Sequence, residues 1–339
     1  METKIFKIED KTEITDISLV AEILKNDGIV AIPTETVYGL AASALSNTAI
    51  EKVFLAKGRP QDNPLIVHIS SMEMLPFVAN DIPPSAYVLA EKFWPGPLTM
   101  VLKKSDNVCE NVSRGLNTVA VRMPSDEIAS KIIETSGLPL AAPSANTSGK
   151  PSPTTATHVI EDLNGKIDAI VASHNCTVGV ESTVVSLVGD KPRLLRPGAV
   201  TAEELEAVLG EIEIDSAVLN ELKKEQKAAS PGMKYKHYSP EAVVYLVEAD
   251  GEKFAEFVND KQDSVAICFA EDKNIKIPFI VYGSSSDPKM QAQNLFSVLR
   301  EIDKKGYKTA YVHAPQKSGV GLAVYNRLIR AAAFKVIKI

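Results

Sequence analysis

The 339-residue chain has no run of 18 apolar side chains, so no segment reads as a membrane-spanning helix. Cysteine is scarce: Cys109, Cys176 and Cys268 are scattered and form no CxxC pair, which disfavours a disulfide framework and a zinc knuckle. The opening METKIFKIEDKTEIT is charged within its first four residues and lacks the apolar stretch of a secretory signal. A soluble, cytoplasmic protein is the expectation. Basic charge is also in short supply, with 37 Lys plus Arg against 43 Asp plus Glu, a net charge of −6. Bulk nucleic-acid binding needs many phosphate-neutralising cations and is disfavoured. Any anion site must be a local concentration of basic residues.

Several catalytic signatures are missing too. There is no GxxxxGK[ST] phosphate loop, no HExxH and no GxSxG elbow. His68, His158, His174, His237 and His313 show no metal-ligand spacing. These absences disfavour a protein metal cage and a serine-hydrolase triad. If ATP binds, it binds by another route.

What is present is an ordinary globular composition, 45% apolar and 24% charged, in a length that suits about two domains. Helical spacing follows Asp16, a candidate N-cap, and short apolar runs read as strands at 28–33, 65–69, 98–104, 118–124, 138–144, 168–173 and 182–188. Helical patterns alternate with them at 48–57, 84–93, 125–136, 154–163 and 201–210. The alternation predicts an α/β layer around a partly parallel sheet over 1–210. Residues 211–240 read as a charged linker ending in SPGMKYKHYSP. A smaller Rossmann-like α/β domain is expected over 241–339, with a last helix at 319–335. Its Gly319-Val-Gly321 lacks the third glycine of a dinucleotide fingerprint, so structural use is expected there.

Four segments of the first domain put polar groups against apolar strands. PTETVYGL (33–40) follows a strand, with Thr34 and Thr36 on one side of an extended chain. KGRPQDNPLIVHI (57–69) stiffens Lys57, Arg59 and Asn63 between prolines and leads to His68; its cations suit phosphate oxygens, Arg as a planar fork and Lys as a point charge. Arg122 interrupts an apolar strand and needs water, a carboxylate or a ligand anion. The loop PSANTSGKPSP (143–153) gathers Ser144, Asn146, Thr147, Ser148, Lys150 and Ser152, many neutral donors. VESTVVSL (180–187) begins a strand with Ser182 and Thr183, and Arg196 ends another before Pro-Gly, where sheet ligands collect. Each segment alone also fits turn, cap or surface-loop chemistry.

Together, PTETVYGL, KGRPQDNPL, FWPGPLT, VAVRMP, PLAAPSANTSGKPSPT, VESTV and LLRPG closely resemble, in order, the YrdC-like family of threonylcarbamoyl-AMP synthases. The linker and small C-terminal domain are similar to its longer, two-domain branch. The resemblance implies a twisted mixed sheet flanked by helices. It also implies a nucleotidyltransferase that joins L-threonine, bicarbonate or carbon dioxide, and ATP into L-threonylcarbamoyl-adenylate and pyrophosphate. The product would pass to a separate complex that makes threonylcarbamoyladenosine beside a tRNA anticodon. By the same resemblance, threonine would be held by Thr36, His68, Arg122, the backbone at Ala142, and Ser182. ATP would be held by Arg59, Asn63, Thr118, Ser144, Ser152, Arg196 and Tyr238, with Lys57 and Asn146 supporting. No protein nucleophile is needed; Lys57 and Arg59 would position reactants and stabilise charge. Magnesium is expected through the ATP phosphates, without a protein cage. SPGMKYKHYSP (230–240) is expected to act as a lid, and the chain as a monomer. The alternative is an RNA-binding module with a basic concavity and no turnover of its own.

Overall fold

The computed structural model describes residues 2–60, 63–220 and 238–339. In the first lobe the strands are β1 (Lys4–Lys7), β2 (Val30–Ile32), β3 (Gly39–Ser43), β4 (Ile66–His68), β5 (Ala79–Asn80) and β6 (Leu98–Lys104). They continue as β7 (Thr118–Arg122), β8 (Leu140–Ala141), β9 (Ala169–Ala172), β10 (Thr183–Ser186), β11 (Arg193–Arg196) and β12 (Glu213–Ile214). Pairing runs β1-β9-β2-β3-β8-β4-β7-β6-β10-β11-β12, with β5 added beside β6, and mixes parallel with antiparallel neighbours. This is the expected twisted mixed sheet. Strands β2 and β3 are buried at every position, as suits strands covered on both faces.

Helices close over the sheet, and their ends carry the capping that the sequence encodes. Ser46 caps Asn47–Lys57 through the Ala49 amide, and Gly58, at φ 60°, ends that helix in the left-handed region. Asp126 caps Glu127–Ser136 through two amides. The first long helix, Ile14–Lys25, departs from the sequence reading. Glu13 is its N-cap, and Asp16 lies in the first turn, where a carboxylate still suits the helix dipole.

The second lobe is a parallel five-stranded sheet of β13 (Val243–Glu248), β14 (Ser264–Phe269), β15 (Phe279–Gly283), β16 (Thr309–His313) and β17 (Val336–Lys338), ordered β15-β14-β16-β13-β17. The last helix is shorter than expected: it spans Gly319–Ala331, and the chain then returns as edge strand β17 beside β13. No described helix is long and apolar enough to cross a membrane.

The two lobes share packed surface. The apolar core of the second lobe takes in Val37 and Val180 of the first, together with Tyr238. Gly179, at φ 82°, lets helix Pro288–Lys304 approach closely, since a Cβ there would collide with the backbone of Ala292 and Gln293.

Candidate active site

Sheet register assembles the site. His68 on β4 faces Arg122 on β7, Arg122 faces Thr99 on β6, Thr99 faces Val184 on β10, and Val184 faces Arg196 on β11. One row across five strands thus spans from His68 to Arg196. Arg59, Arg122, Ser182 and Arg196 all line one cavity, with about 740 Å³ of unfilled space including its open mouth.

At one end, Arg122 is buried and donates from Nη1 to Thr36 Oγ1 at 2.8 Å and from Nε to the Gly96 carbonyl at 3.2 Å. Its Nη2 lies 2.7 Å from Glu35 Oε1 without hydrogen-bond alignment. Of the partners that the sequence reading left open for Arg122, a carboxylate is therefore present in Glu35. Burial pushes the Glu35 pKa up, but the Arg122 charge, its close contact and the Ser125 amide together outweigh it and hold the carboxyl below its usual range. His68 is only 3% exposed. Burial, reinforced by the Arg122 charge, pushes its pKa down to about 3, so the ring is neutral, and its Nδ1 has no partner among the described residues. Ser182 Oγ and Thr99 Oγ1 share a hydrogen at 2.7 Å. Ala142 lines the cavity, but its N–H is taken by the Ile66 carbonyl.

The loop 143–153 forms the other wall, and Lys57 holds it from behind. Lys57 is 2% exposed and donates to the carbonyls of Ser144 and Asn146 at 2.5 and 2.6 Å. Burial pushes its pKa well down. Lys57 was read as a point charge for phosphate; its ammonium is instead committed to loop carbonyls. Asn146 accepts from Ser144 Oγ and donates to the carbonyls of Thr147 and Lys150. Ser152 donates to Glu181 Oε1 at 2.6 Å. Arg196 donates from Nε to the Ser182 carbonyl and from Nη2 to Ser182 Oγ, both at 3.0 Å. Burial, with Arg327 nearby, draws the Arg196 pKa down to about 10. Tyr238 lines the cavity with its ring 5.2 Å from that of Phe296, and the amide of Ser239 donates to the Gly149 carbonyl.

Of the residues singled out from sequence, Thr36, Lys57, Arg59, His68, Arg122 and Ala142 line this cavity, as do Ser144, Ser152, Ser182, Arg196 and Tyr238. Of those that the resemblance assigned to threonine or ATP, two lie outside its lining. Thr118 opens β7, opposite Lys103 and four residues before Arg122, about 13 Å away along an extended strand. Asn63 is buried beside the cavity loop, with neither amide atom partnered among the described residues. The proposed lid falls mostly outside the described residues, apart from Tyr238, Ser239 and Pro240. Sequence reasoning missed Glu35, Glu181 and Arg327. A signal was present for the last: Arg327 and Arg330 stand one helical turn apart among apolar residues of one helix.

A cavity walled by arginines and hydroxyls at strand ends is chemically suited to an anion, on an α/β scaffold. Residues 22–198 match a family model for the Sua5, YciO and YrdC proteins described as "Telomere recombination". Residues 200–333 match one described as "Threonylcarbamoyl-AMP synthase, C-terminal domain". The chain therefore belongs to the Sua5/YciO/YrdC family, in its two-domain form. It is 45% identical to a threonylcarbamoyl-AMP synthase of Pyrococcus abyssi, across 99% of this chain and all of that one. It is 41% identical to the Bacillus subtilis protein of that name, over the whole of both chains. A crystal structure of P. abyssi Sua5 complexed with L-threonine superposes with a TM-score of 0.91 at 44% identity, covering 99% and 100% of the two chains.

Proposed function

We propose that this protein is a nucleotidyltransferase that makes L-threonylcarbamoyl-adenylate and pyrophosphate from L-threonine, bicarbonate and ATP. The observation that carries the reading is the convergence of Arg59, Arg122, Ser182 and Arg196 in one cavity. The full-length similarity to synthases of that name supports it.

Arg122 would take the threonine carboxylate with the Nη2 hydrogens that Glu35 leaves unaligned, beside Thr36, neutral His68, the Ala142 backbone and Ser182. Glu35 holds the guanidinium in place before substrate arrives. Arg59, Ser144, Ser152, Arg196 and Tyr238 would hold the nucleotide. Asn63 and Thr118 would be met only by a part of it reaching beyond the cavity. Bicarbonate takes up a proton and loses water to give carbon dioxide, which adds to the neutral amine of threonine, giving a carbamate and releasing a proton. A carbamate oxygen then attacks the α-phosphorus in line as the bond to pyrophosphate breaks. The protein's contribution is alignment and charge stabilisation, worth up to ~7–11 kcal/mol in favourable cases. Arg196, tied to Ser182, is suited to the growing charge on the α-phosphoryl oxygens.

Magnesium, carried on ATP, would neutralise phosphate charge. The cavity lining fits an ion held by phosphates and water, since its one carboxylate among the described residues, Glu181, is bound to Arg327 and Ser152. The adenylate would be consumed by a separate tRNA-modifying complex. The test is pyrophosphate release by the full chain without RNA. Full rate is expected only with ATP, L-threonine and bicarbonate together; release that ignores threonine overturns the reading.

A further inference from the structure

Arg327 belongs to the second lobe, on helix Gly319–Ala331, and has 0% exposed surface. Most of its donors leave its own lobe. Nε meets Glu181 Oε2 at 3.0 Å, Nη2 meets the Glu181 carbonyl at 3.1 Å, and Nη1 meets the Pro197 carbonyl at 2.5 Å. Glu181 is thereby fixed at both its side chain and its backbone. Its other oxygen, Oε1, accepts the hydroxyl proton of Ser152 at 2.6 Å. Arg300, also from the second lobe, donates to the Pro151 carbonyl and to Asp162, steadying the same wall.

A serine hydroxyl has one proton to give. With that proton committed to a carboxylate, Ser152 Oγ offers only lone pairs to the cavity. The nearby Arg327 and Arg196 charges hold Glu181 ionised against the upward push of burial. An acceptor backed by a fixed carboxylate repels phosphate oxygens and suits a neutral donor.

We infer that Arg327 is a positioning residue which, by pinning Glu181, fixes Ser152 as a hydrogen-bond acceptor for a ribose hydroxyl of the bound nucleotide. This rests on the nucleotide reading above and extends it: the Ser152 wall takes the nucleoside end and the second lobe sets the polarity of that contact.

The test is calorimetric binding of ATP, 2′-deoxy-ATP and 3′-deoxy-ATP to the full chain, with L-threonine as internal control. The wild type is expected to bind at least one deoxy analogue about tenfold more weakly than ATP, the worth of one well-made hydrogen bond. Changing Arg327→Met and Glu181→Met together removes both buried charges, so neither is stranded, and leaves no side-chain acceptor for the Ser152 proton. That variant is expected to bind ATP about tenfold more weakly and to lose the preference for ATP, with threonine affinity within threefold of wild type. A folded double variant that keeps the wild-type ratio overturns the inference. So does a wild type that binds all three nucleotides equally, which decides the matter even if the variant does not fold. A wild type that binds no ATP overturns the nucleotide reading instead.

Discussion

At the scale of single residues, the site depends on charges held out of water by named partners. Arg122 and Glu35 form a buried pair, and removing one member strands the other, typically at ~3–5 kcal/mol. Arg122→Ala is expected to raise the threonine KM roughly a hundredfold, the loss of a charge-assisted contact of about 3 kcal/mol. ATP affinity should stay near wild type. An earlier melting transition with unchanged threonine affinity would reduce Arg122 to a structural partner. Histidine burial gives a pH signature. The pKa of His68 falls to about 3 and that of His158 to about 4, each chiefly through burial. Unfolded histidine takes a proton near pH 6.5, so below that point the unfolded chain binds more protons than the folded one. Stability is therefore full above about 6.5 and declines as pH drops, by up to about 1.4 kcal/mol per pH unit for buried His68 and by less for partly exposed His158. Thermal melts from pH 7 to 5 should show this decline, shallower in His158→Gln.

At the scale of elements, the strand row sets the site and loops are pinned to it. Lys57→Met is expected to free the carbonyls of Ser144 and Asn146 and weaken ATP binding about tenfold, with the fold retained. ATP titration beside a circular dichroism spectrum checks it. Most strands were legible because Val/Ile/Leu runs are bounded by Gly or Pro, between Gly28 and Pro33 or directly after Gly96-Pro97. Strand β3, Gly-Leu-Ala-Ala-Ser, was not, since small residues carry little strand signal and its pairing with β2 and β8 decides its state. Strand β17 was hidden behind helix-forming alanines at 331–333. The cavity-lining residues near the motifs could be named from sequence. The register that brings His68, Arg122 and Arg196 into one row could not, because pairing partners lie far apart in the chain.

At the scale of the whole molecule, the second lobe is part of the cavity's construction. Tyr238 packs on Phe296, and Arg327 closes on Glu181. A fragment ending at residue 220 would expose Val37 and Val180 and leave Glu181 without its cation. Such a fragment should bind ATP at least tenfold more weakly than the full chain, as isothermal titration would show. Gly179→Ala should have a milder effect of the same kind, because the added methyl forces helix Pro288–Lys304 away from the first lobe. Its measure is a lowered melting temperature together with weaker ATP binding.

All of this assumes a cavity in which an amino acid, as its carbamate, meets the α-phosphate of a nucleotide. The most direct measurement supplies 13C-bicarbonate, L-threonine and ATP to the full chain and weighs the adenylate by mass spectrometry. One 13C atom is expected in each molecule of adenylate, with no such product when threonine is left out. An adenylate lacking the label, or pyrophosphate released at full rate without threonine, would contradict the account.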